Sequence, residues 1–128
     1  VHVCENPQVL QRLAAAGVDR PLACTSGNPA AAGWLMLGRV TVRYHGDFDW
    51  PGIAIARRIL ERAVAEPWRL GRADYCEAVE RLPAGRRLML TGRPEVTPWE
   101  PELAPAMAAA NAAVHEEAIV DLLLADLR

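Results

Sequence analysis

Asp47 and Asp49 stand two residues apart in His45-Gly46-Asp47-Phe48-Asp49-Trp50-Pro51-Gly52. In extended backbone, side chains two apart point the same way, so this spacing aims both carboxylates to one side. A third carboxylate, Glu5, follows the apolar run His2-Val3-Cys4. Like charges held together are costly unless a cation sits between them. Three such groups suit a hard ion, Mg²⁺ or Mn²⁺, which takes oxygen ligands, keeps waters and accepts phosphate oxygens. The chemistry such an ion serves is phosphodiester cleavage or transfer, with an activated water and a stabilised leaving oxygen. A plainer reading makes Asp49 a helix N-cap and Glu5 a surface residue at a strand end. An isolated Asp-x-Asp is a weak signal, and what tips the balance is the elements around it.

Those elements repeat one grammar three times: an apolar strand, a polar turn, then proline at a helix start. His2-Val3-Cys4 leads through Glu5-Asn6-Pro7 into a helix ending near Ala16 and Gly17. Pro21 to Thr25 leads through Ser26-Gly27-Asn28-Pro29 into a shorter helix, Ala30 to Leu37. Val40 to Tyr44 alternates β-branched or aromatic residues with Thr41 and Arg43, as a pleated strand does. Pro51 then suits a first helical turn, and Ile53, Ala56, Ile59 and Leu60 form one stripe of a helix reaching about Ala65. Strands alternating with helices predict an α/β fold: three layers, Rossmann-like, with a mainly parallel sheet of about four strands. In such sheets the strand-to-helix turns share the carboxyl edge, where ligands bind. Glu5, Ser26, Asn28, Asp47 and Asp49 should therefore meet on one rim.

The second half is less regular. Pro67 to Leu70 reads as a fourth strand and Ala73 to Arg81 as a helix. Residues 86–92 fit either a strand or a helix tail. The four prolines between Arg93 and Pro105 predict an extended surface segment. A long, alanine-rich C-terminal helix is expected from about Ala106 to Leu127.

With 128 residues and a net charge of −2, the chain fits one domain, 1–128, without a global basic field for nucleic acid. All its cations are arginines, so a phosphate loop ending in Gly-Lys or a lysine Schiff base is excluded. Cys4, Cys24 and Cys76 are scattered and odd in number, and Cys4 and Cys24 sit in apolar strand-like runs, which suits small buried thiols of a reducing cytoplasm rather than a disulfide frame or zinc site. No apolar run has membrane-spanning length, so no membrane partner is expected. The chain opens Val-His-Val, already in a strand pattern and without an initiator methionine, and we expect a C-terminal piece of a longer protein.

Cys4-Glu5-Asn6-Pro7, Ser26-Gly27-Asn28-Pro29 and His45-Gly46-Asp47-Phe48-Asp49-Trp50-Pro51-Gly52 together resemble a Toprim domain, the Glu and Asp-x-Asp module of topoisomerases, primases and several nucleases. The Asp-Phe-Asp-Trp-Pro-Gly form resembles most the module of archaeal-type topoisomerase VI. Closer still is the DUF2399 group of bacterial C-terminal domains, which includes the nuclease subunit of Wadjet-type plasmid defence systems. His115-Glu116-Glu117 is similar to that group's C-terminal motif. The resemblance implies a Toprim fold and metal-dependent DNA cleavage. It makes Glu5 a general base or metal ligand and Asp47 and Asp49 metal ligands, with Glu116 or Glu117 completing the shell or holding a second ion. It implies DNA contacts made mainly through other domains, and SMC-like or other complex components as partners.

Further residues have two readings each. Ser26, Gly27 and Asn28 offer N–H groups and a hydroxyl to a phosphate at a helix N-terminus, and capping explains them equally. Arg57 and Arg58 are the nearest cations for phosphate, although a solvated helix face suits them better. His45 can touch phosphate or metal, and a structural role is the commoner one. His115 is expected mid-helix. Two rival functions stay open: a non-catalytic binding or assembly module, and a phosphatase or sugar-nucleotide site that has no need of Glu5.

Overall fold

The computed structural model describes residues 1–128. Four short strands, β1 (His2–Cys4), β2 (Leu22–Cys24), β3 (Val42–Tyr44) and β4 (Ala65–Pro67), form one parallel sheet in the order β2-β1-β3-β4. Helices α1 (Pro7–Ala15), α2 (Ala31–Leu37) and α3 (Trp50–Arg62) connect them in turn. From β1 the chain steps one way to β2, then crosses back over β1 to β3 and continues to β4. Right-handed crossovers therefore put α1 on one face and α2 and α3 on the other. The result is the expected Rossmann-like three-layer α/β fold.

Local chemistry explains the helix starts. Asn6 caps α1, its side-chain oxygen accepting from Gln8 N at 2.8 Å, with Pro7 as first residue. Asp49 caps α3 in the same way, accepting from Gly52 N at 2.7 Å. Val9 and Leu13 of α1 and Ile53, Ala56 and Ile59 of α3 are buried at helical spacing. They join Val3, Val42, Tyr44 and Phe48 in one core.

The second half departs from expectation at three places. The fourth strand lies at Ala65–Pro67, earlier than Pro67 to Leu70. Trp68 N still pairs with Tyr44 O, but Arg69 adopts a left-handed φ of 46°, which an extended strand cannot continue through. After α4 (Arg72–Arg81) and a 3₁₀ turn at Ala84–Arg86, residues 87–92 form no regular strand or helix, but a mostly exposed segment held by an isolated bridge, Leu88 to Ala113, by an Arg87 guanidinium hydrogen bond to Val79 O at 3.5 Å and by Leu90 packed on the core. The long C-terminal helix is broken in two, α5 (Leu103–Ala110) and α6 (Val120–Leu127). Asn111 ends α5 in the left-handed conformation, φ 49° and ψ 42°. Alanine propensity reads straight through this break. Ala113 and Val114 leave the helical path because each finds a backbone partner elsewhere, Leu88 and Phe48.

Candidate metal centre

The strand order fixes where a site belongs. β1 and β3 are neighbours, yet the helices after them leave to opposite faces. A crevice opens between their carboxyl ends, the position at which ligands bind in open α/β sheets. Glu5 follows β1 and Asp47 to Asp49 follow β3, so both sit at this switch point. The crevice beside them is a polar cleft of about 230 Å³ lined by Glu5, Asn6, Pro7, Ser26, Gly27 and Asp47.

Two glycines let the turn close. A Cβ on Gly46 would lie 3.1 Å from Glu5 Oε2 and 3.0 Å from the Tyr44 hydroxyl. A Cβ on Gly52 would lie 2.3 Å from the Asp47 carbonyl oxygen, a distance no real side chain tolerates. Within the turn, Phe48 is fully buried and anchors the loop in the core, so its flanking aspartates are held outward and half-buried. Burying a phenylalanine contributes about 1.5–3 kcal/mol, enough to hold such a loop.

The segment after the α5 break completes the rim. Phe48 N donates to Val114 O at 2.8 Å, and Val114 N donates to Phe48 O at 3.1 Å. This antiparallel pairing lays residues 114–117 along the aspartate turn. His115 is extended there, φ −82° and ψ 150°, instead of mid-helix. Its Nε2 lies 3.3 Å from Asp49 Oδ2. Asp47, Asp49 and His115 each bring a ligand atom to within 4.8 Å of the others, a group that can hold a metal ion.

Glu116 has a different place from the one expected. It is fully buried, and both its carboxylate oxygens accept from backbone: Glu5 N at 3.0 and 3.1 Å, Asn6 N at 2.7 Å. Its own N–H donates to Asp47 Oδ1 at 2.7 Å. Glu116 therefore ties the end of β1 to the aspartate turn, and it lies outside the group that can hold an ion. Glu117 accepts from the Asn6 side-chain amide and also lies outside the ligand group. Asp49 combines both readings of the sequence: Oδ1 caps α3 while Oδ2 faces His115.

Burial and mutual repulsion set the protonation. Burial, then the Asp47 charge, pushes Glu5 up to about 7, opposed by the Asp47 N–H that reaches its Oε2 at 3.3 Å. Burial also raises Asp47, against the hydrogen bond from Glu116 N. Burial pushes Glu116 up to about 8, opposed by the Glu5 and Asn6 N–H groups. Carboxyl groups raised together in one crevice mark a place where a cation would relieve the repulsion. The donor set fits a divalent ion: two carboxylates, an imidazole, and room beside them for water.

The remaining expected contacts divide. Ser26 and Gly27 do line the rim cleft, and Asn28 follows them in the same loop. Ser26 and Gly27 adopt left-handed φ of 53° and 88°, and the Gly27 and Asn28 N–H groups donate to no backbone oxygen. Arg58 reaches across from α3 to Asn28 Oδ1, so a cation stands by this loop. Arg57 does not: it pairs with Glu95 at 3.3 Å, about two turns along α3 from the aspartates. His45 also cannot touch phosphate, because it is fully buried. Its Nδ1 lies 2.9 Å from Trp68 O, and burial lowers its imidazole to about 4, so it is a neutral core residue. His115 is the candidate ligand that sequence reasoning misses. Its one signal is its place beside two glutamates, masked by the helical pattern of the alanine run.

No helix is long and apolar enough to cross a membrane. A family model described as "Protein of unknown function C-terminus (DUF2399)" matches residues 1–127. No curated protein and no solved structure matches the chain.

Proposed function

We propose that this chain, which belongs to the DUF2399 family, is a Toprim-like, divalent-metal-dependent nuclease domain that hydrolyses DNA phosphodiesters. One observation carries the reading: Asp47, Asp49 and His115 meet at the sheet's switch point, directly beside Glu5 and a phosphate-sized polar cleft. Asp47, Asp49 and His115 would hold the ion. When bound, it would supply Lewis-acid stabilisation of the leaving oxygen and a more acidic water. An imidazole in the set favours Mn²⁺ over Mg²⁺, which demands oxygen.

The chain's own residues supply the rest. Glu5, held at about 7, is matched to take a proton from water near neutral pH. The free Gly27 N–H at the cleft, with the neighbouring Asn28 N–H and Arg58, would receive a phosphate oxygen. Glu116 keeps Glu5 and Asp47 in register by bonding to both residues' polar groups. In a bacterial defence or DNA-processing complex, other domains and subunits would supply most of the duplex contacts, since this chain's net charge is −2.

The test is calorimetric titration of Mn²⁺ into wild type and Asp47→Ala, followed by cleavage of supercoiled plasmid by wild type and Glu5→Gln. Binding lost in Asp47→Ala and cleavage lost in Glu5→Gln, with Mn²⁺ still bound, are expected. Mn²⁺ binding that survives Asp47→Ala would remove the proposed metal centre. Metal binding without cleavage would favour the assembly-module reading.

A further inference from the structure

The aspartate turn has a second opening, on the side away from Glu5. A cleft of about 510 Å³ runs from Asp49 and His115 to the exposed segment after α4, where Arg87, Leu88, Met89 and Thr91 line it. This segment differs in charge from the rest of an acidic chain. Between Leu82 and Pro94 it carries Arg86, Arg87 and Arg93 and no carboxylate. None of the three arginines forms an ion pair, and Arg87 has one hydrogen bond, to Val79 O at 3.5 Å. Between these cations, Leu88 and Met89 stand 59% and 69% exposed. The segment is nevertheless fixed to the site: Ala113 N donates to Leu88 O at 2.8 Å, and the next residue, Val114, pairs with Phe48 of the aspartate turn.

We propose that residues 86–93 form a DNA-contacting strap that lays a duplex across the metal centre. This assignment rests on the nuclease reading of that centre and names what holds its substrate. Unpaired arginines complement a phosphate backbone, and each phosphate they neutralise releases counterions. Exposed Leu and Met flanked by arginine match the apolar wedge that minor-groove binders press against base steps. The cleft is continuous with Asp49 and His115, so a strand held on Arg87 passes directly beside the metal ligands. Thr91 adds a hydroxyl to the same wall.

The experiment uses the full chain and a fluorescein-labelled DNA duplex, with anisotropy read over a salt series in Ca²⁺ to suppress turnover. Arg87→Ala should weaken binding about five- to tenfold, and Arg86→Ala/Arg87→Ala/Arg93→Ala should flatten the log K against log salt slope by about 0.9 for each phosphate no longer neutralised. Met89→Ser should weaken duplex binding without changing the slope. Mn²⁺ affinity, measured by calorimetry, should stay at wild type in all three variants. Unchanged affinity and slope in the triple variant would overturn the strap. So would a wild type that binds no duplex, or a Met89→Ser variant whose only effect is to dissociate a dimer in sedimentation. Failure of the metal reading looks different: Mn²⁺ binding indifferent to Asp47, while strap variants still lose duplex affinity.

Discussion

Glu116 accepts the backbone N–H of Glu5, 111 positions earlier in the chain, through both oxygens of its carboxylate. Because Glu116 N also donates to Asp47 Oδ1, one residue spans the two strand ends that flank the crevice. Removing it should leave the Glu5 and Asn6 donors buried and unpaired. Glu116→Ala should cost on the order of 3 kcal/mol in urea denaturation, and Glu116→Gln less, since an amide oxygen still accepts. Equal stability of Glu116→Ala and wild type would reject the strut role.

Asp49 should separate into its two functions by substitution. Asparagine keeps the cap and removes the charge. Asp49→Asn is expected to hold stability within about 0.5 kcal/mol while losing most Mn²⁺ affinity, whereas Asp49→Ala should lose about 1 kcal/mol as well. Calorimetry and thermal melts on the pair check both halves.

His115 has a side chain 44% exposed, so its loss should not disturb the core. His115→Ala should bind Mn²⁺ about tenfold more weakly and melt at the wild-type temperature. A melt lowered by several degrees with metal affinity intact would assign it to packing instead.

Gly52→Ala should be among the most damaging small changes. Its methyl would meet the Asp47 carbonyl oxygen at 2.3 Å, which forces the aspartate turn outward. A cost of about 1–3 kcal/mol and loss of Mn²⁺ binding are expected, read by denaturation and calorimetry.

The metal-free protein should lose stability as pH rises from about 6.5 to 8. Glu5 and Glu116 have folded values raised to about 7 and about 8, so above their unfolded value of 4.5 the folded state holds more protons than the unfolded state, and stability falls. His45, lowered to about 4 from 6.5, works the other way, adding stability as pH rises between those values. The trends oppose below 6.5, and only the carboxyl trend remains above it. Thermal melts across this range should fall, and Mn²⁺ should restore more at about pH 8 than at about pH 5. A flat profile would contradict the burial of both glutamates.

The strand–turn–helix grammar carries the first half of the fold because each turn announces itself chemically. Asn6-Pro7 and Asp49-Trp50-Pro51 hold both cap and helix start within three residues, so local physics settles them. The rim follows from topology once the strands are parallel. Residues 106–127 are illegible for the opposite reason. Alanine favours helix everywhere, and what breaks it at Asn111 is a pairing of Val114 with Phe48, distant in sequence. That same pairing moves His115 into the site and takes Glu116 out of solvent. His45 reads toward the rim because a histidine beside a glycine looks like a turn residue, while the core closes over it through Trp68.

The pairing of Phe48 with Val114 also orders the site in time. A ribosome delivers Glu5, Asp47 and Asp49 first, and Glu116 follows 69 positions after Asp47. At about 5–20 residues per second, several seconds of synthesis separate the two. Through that interval the nascent chain carries its acidic turn without the strand that braces it or the imidazole beside it. A chain interrupted before residue 114 is thus born without the assembled centre, and on the nuclease reading the capacity to cut is withheld until that stretch has been translated.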